Sequence, residues 1–389
     1  MNASEFKNHL TNQLIPFWNN LKDNKYGGYY GYVDHDLKIH PEKEKGVILN
    51  NRILWFYSNA YTLLKDSTLL DYAEHAYKFL TGQCIDSQYG GVYWSLNYDG
   101  TPLDDSKHTY NQAFAIYALS SYYEASGDKK SIEAAYDIFN IIETKCRDKD
   151  GYLEAFDREF NPASNEKLSE NGVMAERTMN TLLHVMEAYT ELYRVDKKDE
   201  VKKHLLEILS IFKSKIYDAD KKMDKVFFDI DYNSIIDLHS YGHDIETSWL
   251  LYRTAEILDD PDITREIKAI SLNLAKTISD IAVDTSVYAL NNECENSKVD
   301  TQKIWWVQAE SVIGFYNAYQ LQPEQENYKL LSEKIWKYIN THIIDSRSGE
   351  WFESIRPDGT VNETQAMVQP WKCPYHNGRM CMEMIKRLS

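Results

Sequence analysis

The sequence predicts an all-α protein, an (α/α)6 barrel of six inner and six outer helices with short β-hairpins in the loops. Two observations carry this prediction. Strongly apolar helices recur six times, 58 to 70 residues apart, with first turns marked by Arg52, Tyr110, Asn180, His243, Trp306 and His376. More amphipathic, charge-bearing segments alternate with them. Such a period is typical of repeat architectures, and closing six helical hairpins into a ring buries the more apolar helices.

The amphipathic segments supply the predicted outer ring. The first spans residues 4–21, and the others span residues 67–81, 129–145, 198–216, 262–281 and 325–343. Glycine and aromatic residues alternate between the helices, as in Tyr26-Gly-Gly-Tyr-Tyr-Gly, which predicts short strands or hairpins there. The turn-rich segment 161–172 lies where a loop of the repeat belongs. We therefore expect a single domain over residues 1–389.

Composition and charge narrow the possible partners. The chain has 43 Lys plus Arg against 60 Asp plus Glu, and its net charge of -17 disfavours nucleic acid and anionic membranes. Five scattered cysteines without a C-x-x-C motif disfavour a disulfide framework or a zinc site. Neither a signal peptide nor a run of about 18 apolar residues is present. We expect a cytoplasmic monomer, and the 29 Tyr and 9 Trp suit a small-molecule sugar ligand.

Polar residues collect at one predicted end of the barrel. Alternate helices run parallel, so the N-termini of all six inner helices open onto the same pocket. A cavity that combines three histidines, an arginine and two carboxylates with aromatic walls indicates proton-transfer chemistry. The residues expected there are Arg52, Tyr110, Asn180, His184, His243, Glu246, Trp306, Glu310 and His376.

His243 and His376 occupy equivalent places before two inner helices. Asp244 is the expected N-cap of the helix that follows His243, and Glu246 is expected to orient the His243 imidazole. Asn377 is the expected cap of the last helix. Two histidines that enter one cavity from opposite walls can act as base and acid on the two faces of a planar intermediate, as inversion at a carbon requires.

Other residues of the predicted pocket suit a sugar ligand. Arg52, at the start of an inner helix, is placed to hold a hydroxyl or an oxyanion. Trp371 and one of the pair Trp305 and Trp306 are candidate stacking surfaces, because adjacent residues of a helix cannot both point inward. A metal bound by the histidines and Glu246 is the less favoured alternative, since each histidine comes from a different helix.

Seven motifs, in this order, resemble the N-acylglucosamine 2-epimerase superfamily and, within it, the members that act on cellobiose. They are Tyr26-Gly-Gly-Tyr-Tyr-Gly, Asn51-Arg-Ile-Leu-Trp-Phe, Ser169-Glu-Asn-Gly, Met179-Asn-Thr-Leu-Leu-His, Ser240-Tyr-Gly-His-Asp-Ile-Glu, Ile304-Trp-Trp-Val-Gln-Ala-Glu and Trp371-Lys-Cys-Pro-Tyr-His-Asn-Gly-Arg. The resemblance implies an (α/α)6 barrel that needs neither a metal nor another cofactor. It also implies inversion of C2 in the reducing-end glucose of β-1,4-linked disaccharides, so that cellobiose gives glucosyl-mannose and lactose gives epilactose.

The resemblance assigns a role to each residue of the predicted pocket. His243 and His376 match the paired acid/base histidines, and His184 matches the histidine that opens the ring or contacts O1. The supporting charged residues are Arg52, Glu246 and Glu310, and the sugar contacts are Tyr110, Asn180, Trp306 and Trp371.

Three other functions stay open at this point. A monosaccharide aldose-ketose isomerase or an N-acylglucosamine 2-epimerase of the same superfamily would use the same histidines. An (α/α)6 glycoside hydrolase would need two carboxylates, for which Asp104, Asp105, Glu246 and Glu310 are candidates. A non-catalytic sugar-binding module would bind ligand without any turnover.

Overall fold

The computed structural model describes residues 1–168 and 172–389, and within these ranges twelve helices form two concentric rings. Three residues of the turn-rich segment 161–172 and of the motif Ser169-Glu-Asn-Gly, namely Ser169, Glu170 and Asn171, lie outside the described residues. The predicted (α/α)6 barrel with β-hairpins in its loops is confirmed.

The inner ring consists of the even-numbered helices. Each packs against the next, and the last packs against the first, which closes the ring. Most of their residues are buried, as the apolar sequence pattern predicts. The inner helices are α2 (Val47–Leu64), α4 (Thr109–Ser126), α6 (Met179–Asp196), α8 (Tyr241–Leu258), α10 (Trp305–Leu321) and α12 (His376–Leu388).

The outer ring consists of the odd-numbered helices, which bury one face each. Helix α1 includes Ala3–His9, a π-helical turn at Leu10–Leu14 and Ile15–Asn19. It packs against α12, so the two ends of the chain complete the last hairpin. The other outer helices are α3 (Ser67–Phe79), α5 (Lys129–Lys145), α7 (Asp199–Ile211), α9 (Pro261–Ile281) and α11 (Glu326–Tyr338), and π-helical turns extend α3, α7 and α11 to Cys84, Ile216 and Ile343.

Tight turns connect each inner helix to its outer partner. Lys65, Gly127, Lys197 and Asp259 end inner helices in the left-handed conformation, which reverses the chain within two residues. The carboxylate of Asp128 then accepts the amide of Lys130 and caps the next outer helix. The short turns leave the longer loops, and the space between them, at the opposite end of the barrel.

Short antiparallel strands link neighbouring loops at that end. A single bridge between Val33 and Val368 joins the first loop to the last, so the loops form a closed ring of their own. The pairings are β1 (Lys45–Gly46) with β2 (Ser95–Leu96) and β2 with β3 (Pro102–Asp104); β4 (Lys107–His108) with β5 (Ala155–Phe156); β6 (Arg177–Thr178) with β9 (Phe227–Phe228); β7 (Tyr217–Asp218) with β8 (Met223–Asp224); β10 (Leu238–Ser240) with β13 (Glu293–Glu295) and β13 with β14 (Lys298–Asp300); β11 (Val283–Asp284) with β12 (Ala289–Leu290); and β15 (Lys303–Ile304) with β16 (Ser354–Ile355).

In four of these loops, a buried lysine or arginine two residues before the inner helix forms an ion pair that holds the loop in place. Each cation pairs with an aspartate in the loop before it: Lys45 with Asp23, Lys107 with Asp86, Arg177 with Asp148 and Lys303 with Asp284. The equivalent residue before α8 is His239, whose Nε2 lies 2.7 Å from Oδ2 of Asp244. The predicted N-cap role of Asp244 is therefore wrong. Helix α8 begins at Tyr241, and the Asp244 carboxylate stabilises the preceding strand instead.

None of the helices in the described ranges is long and apolar enough to cross a membrane. The five cysteines are free thiols.

Candidate active site

A cavity of about 330 Å³ opens at the N-terminal ends of the inner helices. Pockets for small ligands start at about this size. Nine of the ten residues proposed from the sequence line the cavity, namely Arg52, Tyr110, Asn180, His184, His243, Glu246, Trp306, Trp371 and His376. The tenth, Glu310, lies behind His376 in the cavity wall.

His376 is held by a carboxylate. Its Nδ1 lies 2.8 Å from Oε1 of Glu310, and the indole Nε1 of Trp249 donates to the other oxygen of that carboxylate at 3.0 Å. Glu310 is completely buried. With Nδ1 engaged in the wall, Nε2 is the nitrogen that His376 can offer to a ligand.

His243 is held by a hydroxyl. Its Nδ1 lies 2.7 Å from Oγ of Ser240, the N-cap residue of α8, whose hydroxyl makes this contact instead of capping the helix. The expectation that Glu246 orients His243 is wrong, because the Glu246 carboxylate bonds to Arg379. Sequence spacing pointed to Glu246 at i+3, but at a helix start the residue three positions before the histidine is equally close.

Trp306 connects the two histidines. Its indole lies 4.8 Å from the His243 ring and 5.4 Å from the His376 ring, measured between ring centroids. Trp305 also lies 5.5 Å from His376 and lines the cavity. The expectation that only one of the two tryptophans reaches the cavity is therefore wrong, because residues at the very start of a helix can flank an opening from both sides.

The third histidine forms a second carboxylate pair. His184 Nδ1 lies 2.8 Å from Oε2 of Glu187, one turn further along α6. The hydroxyl of Tyr375 donates to the same oxygen at 2.5 Å. His184 thus has the same kind of partner as His376, whereas His243 does not.

Arg379 joins the carboxylates and was missed in the sequence. Its guanidinium bonds Glu187, Glu246 and Glu310, the last at 2.7 Å. It lies one turn after His376 on α12 and is 2% exposed. One signal could have identified it: three carboxylates near one cavity require a buried cation.

Burial keeps both candidate acid/base histidines neutral. It lowers the pKa of His243 to about 3, and the nearby His184 adds to this effect. Burial also lowers the pKa of His376 well below its ordinary value, with a further contribution from the positive charge of Arg379. Both imidazoles therefore carry a free lone pair at neutral pH and can accept a proton.

The carboxylates respond differently to the same surroundings. Burial and the neighbouring Glu310 raise the pKa of Glu246 to about 7. Burial also raises the pKa of Glu310. Although burial opposes ionisation of Glu187 as well, Arg379 and His184 lower its pKa to about 2. The group therefore holds one carboxylate, Glu187, that is charged at neutral pH and two, Glu246 and Glu310, that bind a proton more readily.

Other polar and aromatic residues line the rest of the cavity. Arg52 Nη2 donates to the Tyr110 hydroxyl at 2.8 Å, and its Nη1 donates to the carbonyl oxygen of Trp371 at 3.3 Å. The buried Oδ1 of Asn180 has no hydrogen-bond partner among the described residues. Asn377, expected to cap α12, instead donates to Glu350 at 2.7 Å, because the loop before the helix buries that carboxylate.

One group of residues has the spacing of a metal site. Oxygen and nitrogen atoms of Glu246, Glu310 and His376 lie within 4.8 Å of one another in the described part of the chain. The guanidinium of Arg379 already bonds both carboxylates and supplies the positive charge there. The donor set therefore fits an arginine-centred ion-pair network better than it fits a metal ion.

Comparisons with known proteins extend over the whole chain. The family model for N-acylglucosamine 2-epimerase (GlcNAc 2-epimerase) matches residues 28–377. The cellobiose 2-epimerase of Eubacterium cellulosolvens is 50% identical over 394 residues, covering 97% of this chain and 96% of that protein. The cellobiose 2-epimerase of Ruminococcus albus is 48% identical over 388 residues, covering 100% and 99%. A solved sugar epimerase from a ruminal bacterium superposes with a TM-score of 0.97 at 48% identity, covering 99% and 98%.

Proposed function

This chain belongs to the N-acylglucosamine 2-epimerase family and is an epimerase, and we propose that it inverts C2 of the reducing-end glucose in β-1,4-linked disaccharides. Cellobiose would give glucosyl-mannose, and lactose would give epilactose. The observation that carries the proposal is the placement of two neutral imidazoles, His243 and His376, in one cavity, each with its ring centroid within 5.4 Å of that of the Trp306 indole.

Ring opening comes first in this reaction. The C2 proton of a pyranose is not acidic, whereas next to a free aldehyde its loss gives an enediolate in which the charge is delocalised. His184 lines the cavity with Nδ1 bound to Glu187, so its Nε2 is placed to exchange a proton with the O1 hydroxyl. As the C1–O5 bond breaks, Nε2 takes the O1 proton and the resulting imidazolium gives a proton to the ring oxygen.

Inversion then needs a base and an acid. One of His243 and His376 removes the C2 proton, while the Arg52 guanidinium stabilises the oxyanion. The intermediate rotates about the C2–C3 bond. The other imidazole then takes up a proton from solvent and delivers it to the opposite face, while the first imidazole releases its own proton to solvent. Each histidine contributes on the order of 10² to 10⁴ in rate.

The aromatic wall supports a disaccharide as substrate. Trp371 lines the cavity, and its indole lies 5.8 Å from the Tyr110 ring and 5.6 Å from the Trp94 indole. Aromatic faces of this kind suit a second sugar ring. Hydrolysis is less well supported: Glu246 and Glu310 both bond one guanidinium, and Asp104 pairs with Lys167.

Heavy water provides the test of this function. We expect incubation with cellobiose in D₂O to produce a mannose-configured reducing end that carries deuterium at C2, observed by NMR. Release of free glucose would indicate hydrolysis, and conversion of mannose or glucose with no action on cellobiose would indicate a monosaccharide enzyme. Unchanged cellobiose without any incorporation of deuterium would contradict the proposal.

We also propose that residues 1–389 form one domain. One continuous hydrophobic core includes residues from all twelve helices, and the Val33–Val368 bridge joins the first loop to the last. Cooperative unfolding in a single calorimetric transition would support this organisation.

A further inference from the structure

One guanidinium connects three buried carboxylates beneath the cavity. Nη1 of Arg379 bonds Glu187, and Nη2 bonds both Glu246 and Glu310. In the described ranges, Arg379 is the only Lys or Arg that forms an ion pair with any of the three. Arginine suits this position because its planar fork of donors can serve several oxygens at once, whereas lysine offers a single point charge.

Two of these carboxylates each hold a histidine. Glu187 contacts Nδ1 of His184, and Glu310 contacts Nδ1 of His376, both at 2.8 Å. The two histidines come from helices α6 and α12, which lie across the barrel from each other. Arg379 bonds the carboxylate partner of each histidine, and the Tyr375 hydroxyl adds a second contact to Glu187.

We propose that Arg379 is a positioning residue that fixes His184 and His376 together, so that its loss disables both. The proposal rests on the function proposed above. Without the guanidinium, three buried carboxylates would repel one another and would take up protons or turn away. A protonated or displaced carboxylate no longer holds the imidazole Nδ1, so Nε2 loses its orientation toward the cavity. Arg379 itself does not line the cavity and has no contact with a bound sugar to lose.

Arg253 supplies a matched control. It comes from α8 and pairs with Glu191 and Glu383 near the other end of the inner helices. Its side chain is 29% exposed, and it contacts none of the three carboxylates that Arg379 serves. Arg253→Gln therefore removes a guanidinium from the same barrel interior without touching the histidines.

A double-mutant cycle on the reaction with cellobiose tests the proposal. We expect Arg379→Gln to lower kcat about 10²-fold or more, with KM changed by less than about threefold. In a Glu310→Gln background, the fold-loss of kcat caused by Arg379→Gln should be about ten times smaller than in wild type, because part of the effect of Arg379 depends on Glu310. Arg253→Gln should leave kcat within about threefold. Equal costs in both backgrounds, or a folded Arg379→Gln protein with kcat within threefold of wild type, would overturn the proposal.

Two further measurements keep the test decisive. If Arg379→Gln does not fold, Arg379→Lys replaces it; a loss of kcat of about tenfold or more is expected, and wild-type kcat would overturn the proposal.

Histidine ¹⁵N NMR needs no substrate and so separates this proposal from the proposed reaction. The Nδ1 and Nε2 signals of His184 and His376 should both shift in the Arg379 variant and neither should shift in Arg253→Gln. A shift in the signals of only one histidine, or of neither, would contradict the proposal that Arg379 positions both.

Discussion

His376 and Glu310 form a buried histidine–carboxylate pair, with Nδ1 and Oε1 2.8 Å apart across two inner helices. The contact fixes the ring so that Nε2 is the nitrogen available in the cavity. A negative charge behind the ring also stabilises the imidazolium that forms when His376 accepts a proton. His243 lacks such a carboxylate, because its Nδ1 contacts the neutral Ser240 hydroxyl.

Glu310→Gln tests how much the negative charge of Glu310 contributes to catalysis. An amide of the same shape can still contact the ring but cannot stabilise the imidazolium, so we expect kcat to fall on the order of 10²-fold with KM nearly unchanged. Steady-state kinetics with cellobiose provide the measurement. A rise in KM with kcat unchanged would show that Glu310 serves ground-state binding instead.

Ser240→Ala removes the only contact of His243 Nδ1 with another side chain among the described residues. The loss of one hydrogen bond, worth about 1 kcal/mol, predicts a fall of roughly fivefold to tenfold in kcat. This effect should be smaller than that of Glu310→Gln. Ser248→Ala is the matched control, because that hydroxyl lies on the same helix and donates only to the carbonyl oxygen of Ile245. Equal losses in the two serine variants would exclude a specific role for Ser240.

The two candidate acid/base histidines should differ in which epimer they exchange. If each serves one face of C2, His243→Asn and His376→Asn both abolish epimerisation, since inversion needs both faces. Each variant should still exchange the C2 proton of one epimer in D₂O, and the two variants should exchange opposite epimers. NMR of the glucose- and mannose-configured sugars measures this. Exchange of both epimers by one variant would indicate that a single base reaches both faces.

Gly242→Ala should disturb the Trp306 indole, which lies close to both histidine rings. An added Cβ would lie 2.5 Å from Cη2 of Trp306 and 2.7 Å from Cγ2 of Val307. Overpacking of this kind costs about 1–3 kcal/mol of unfolding free energy, and the shift of Trp306 should lower kcat at least about tenfold. Gly82→Ala, where no atom lies within 4 Å of the new Cβ, should leave kcat unchanged and should not lower the free energy of unfolding. Wild-type kinetics for Gly242→Ala would show that the position of Trp306 is not critical.

Stability should depend on pH through His243. Its pKa is about 3 in the fold, against an ordinary value of 6.5, because burial disfavours the charged ring. Above pH 6.5 the ring is neutral in both the folded and the unfolded chain, and His243 does not reduce stability. As the pH falls from 6.5 toward 3, the unfolded chain binds a proton that the folded chain does not bind, so the free energy of unfolding decreases. Between pH 6.5 and 4.5, wild type should lose up to about 1.4 kcal/mol per pH unit more than His243→Gln. Urea unfolding measures the difference, with the exposed His342→Gln as control; identical slopes for wild type and His243→Gln would contradict it.

The repeat of apolar helices was enough to predict the barrel and to bring distant residues to one end of it. Parallel inner helices must present their first turns at the same end, whatever the details of their packing. This is why residues as far apart as Arg52 and His376 could be assigned to one cavity from the sequence.

Tertiary structure decided which side chains touch within that cavity. Helical spacing identifies neighbours three or four residues apart, such as His184 and Glu187. It cannot show that Arg379 meets Glu187, 192 positions away, or that His376 meets Glu310, 66 positions away. Those contacts depend on how each helix is rotated about its axis and how closely the six helices approach, which packing of the whole ring sets.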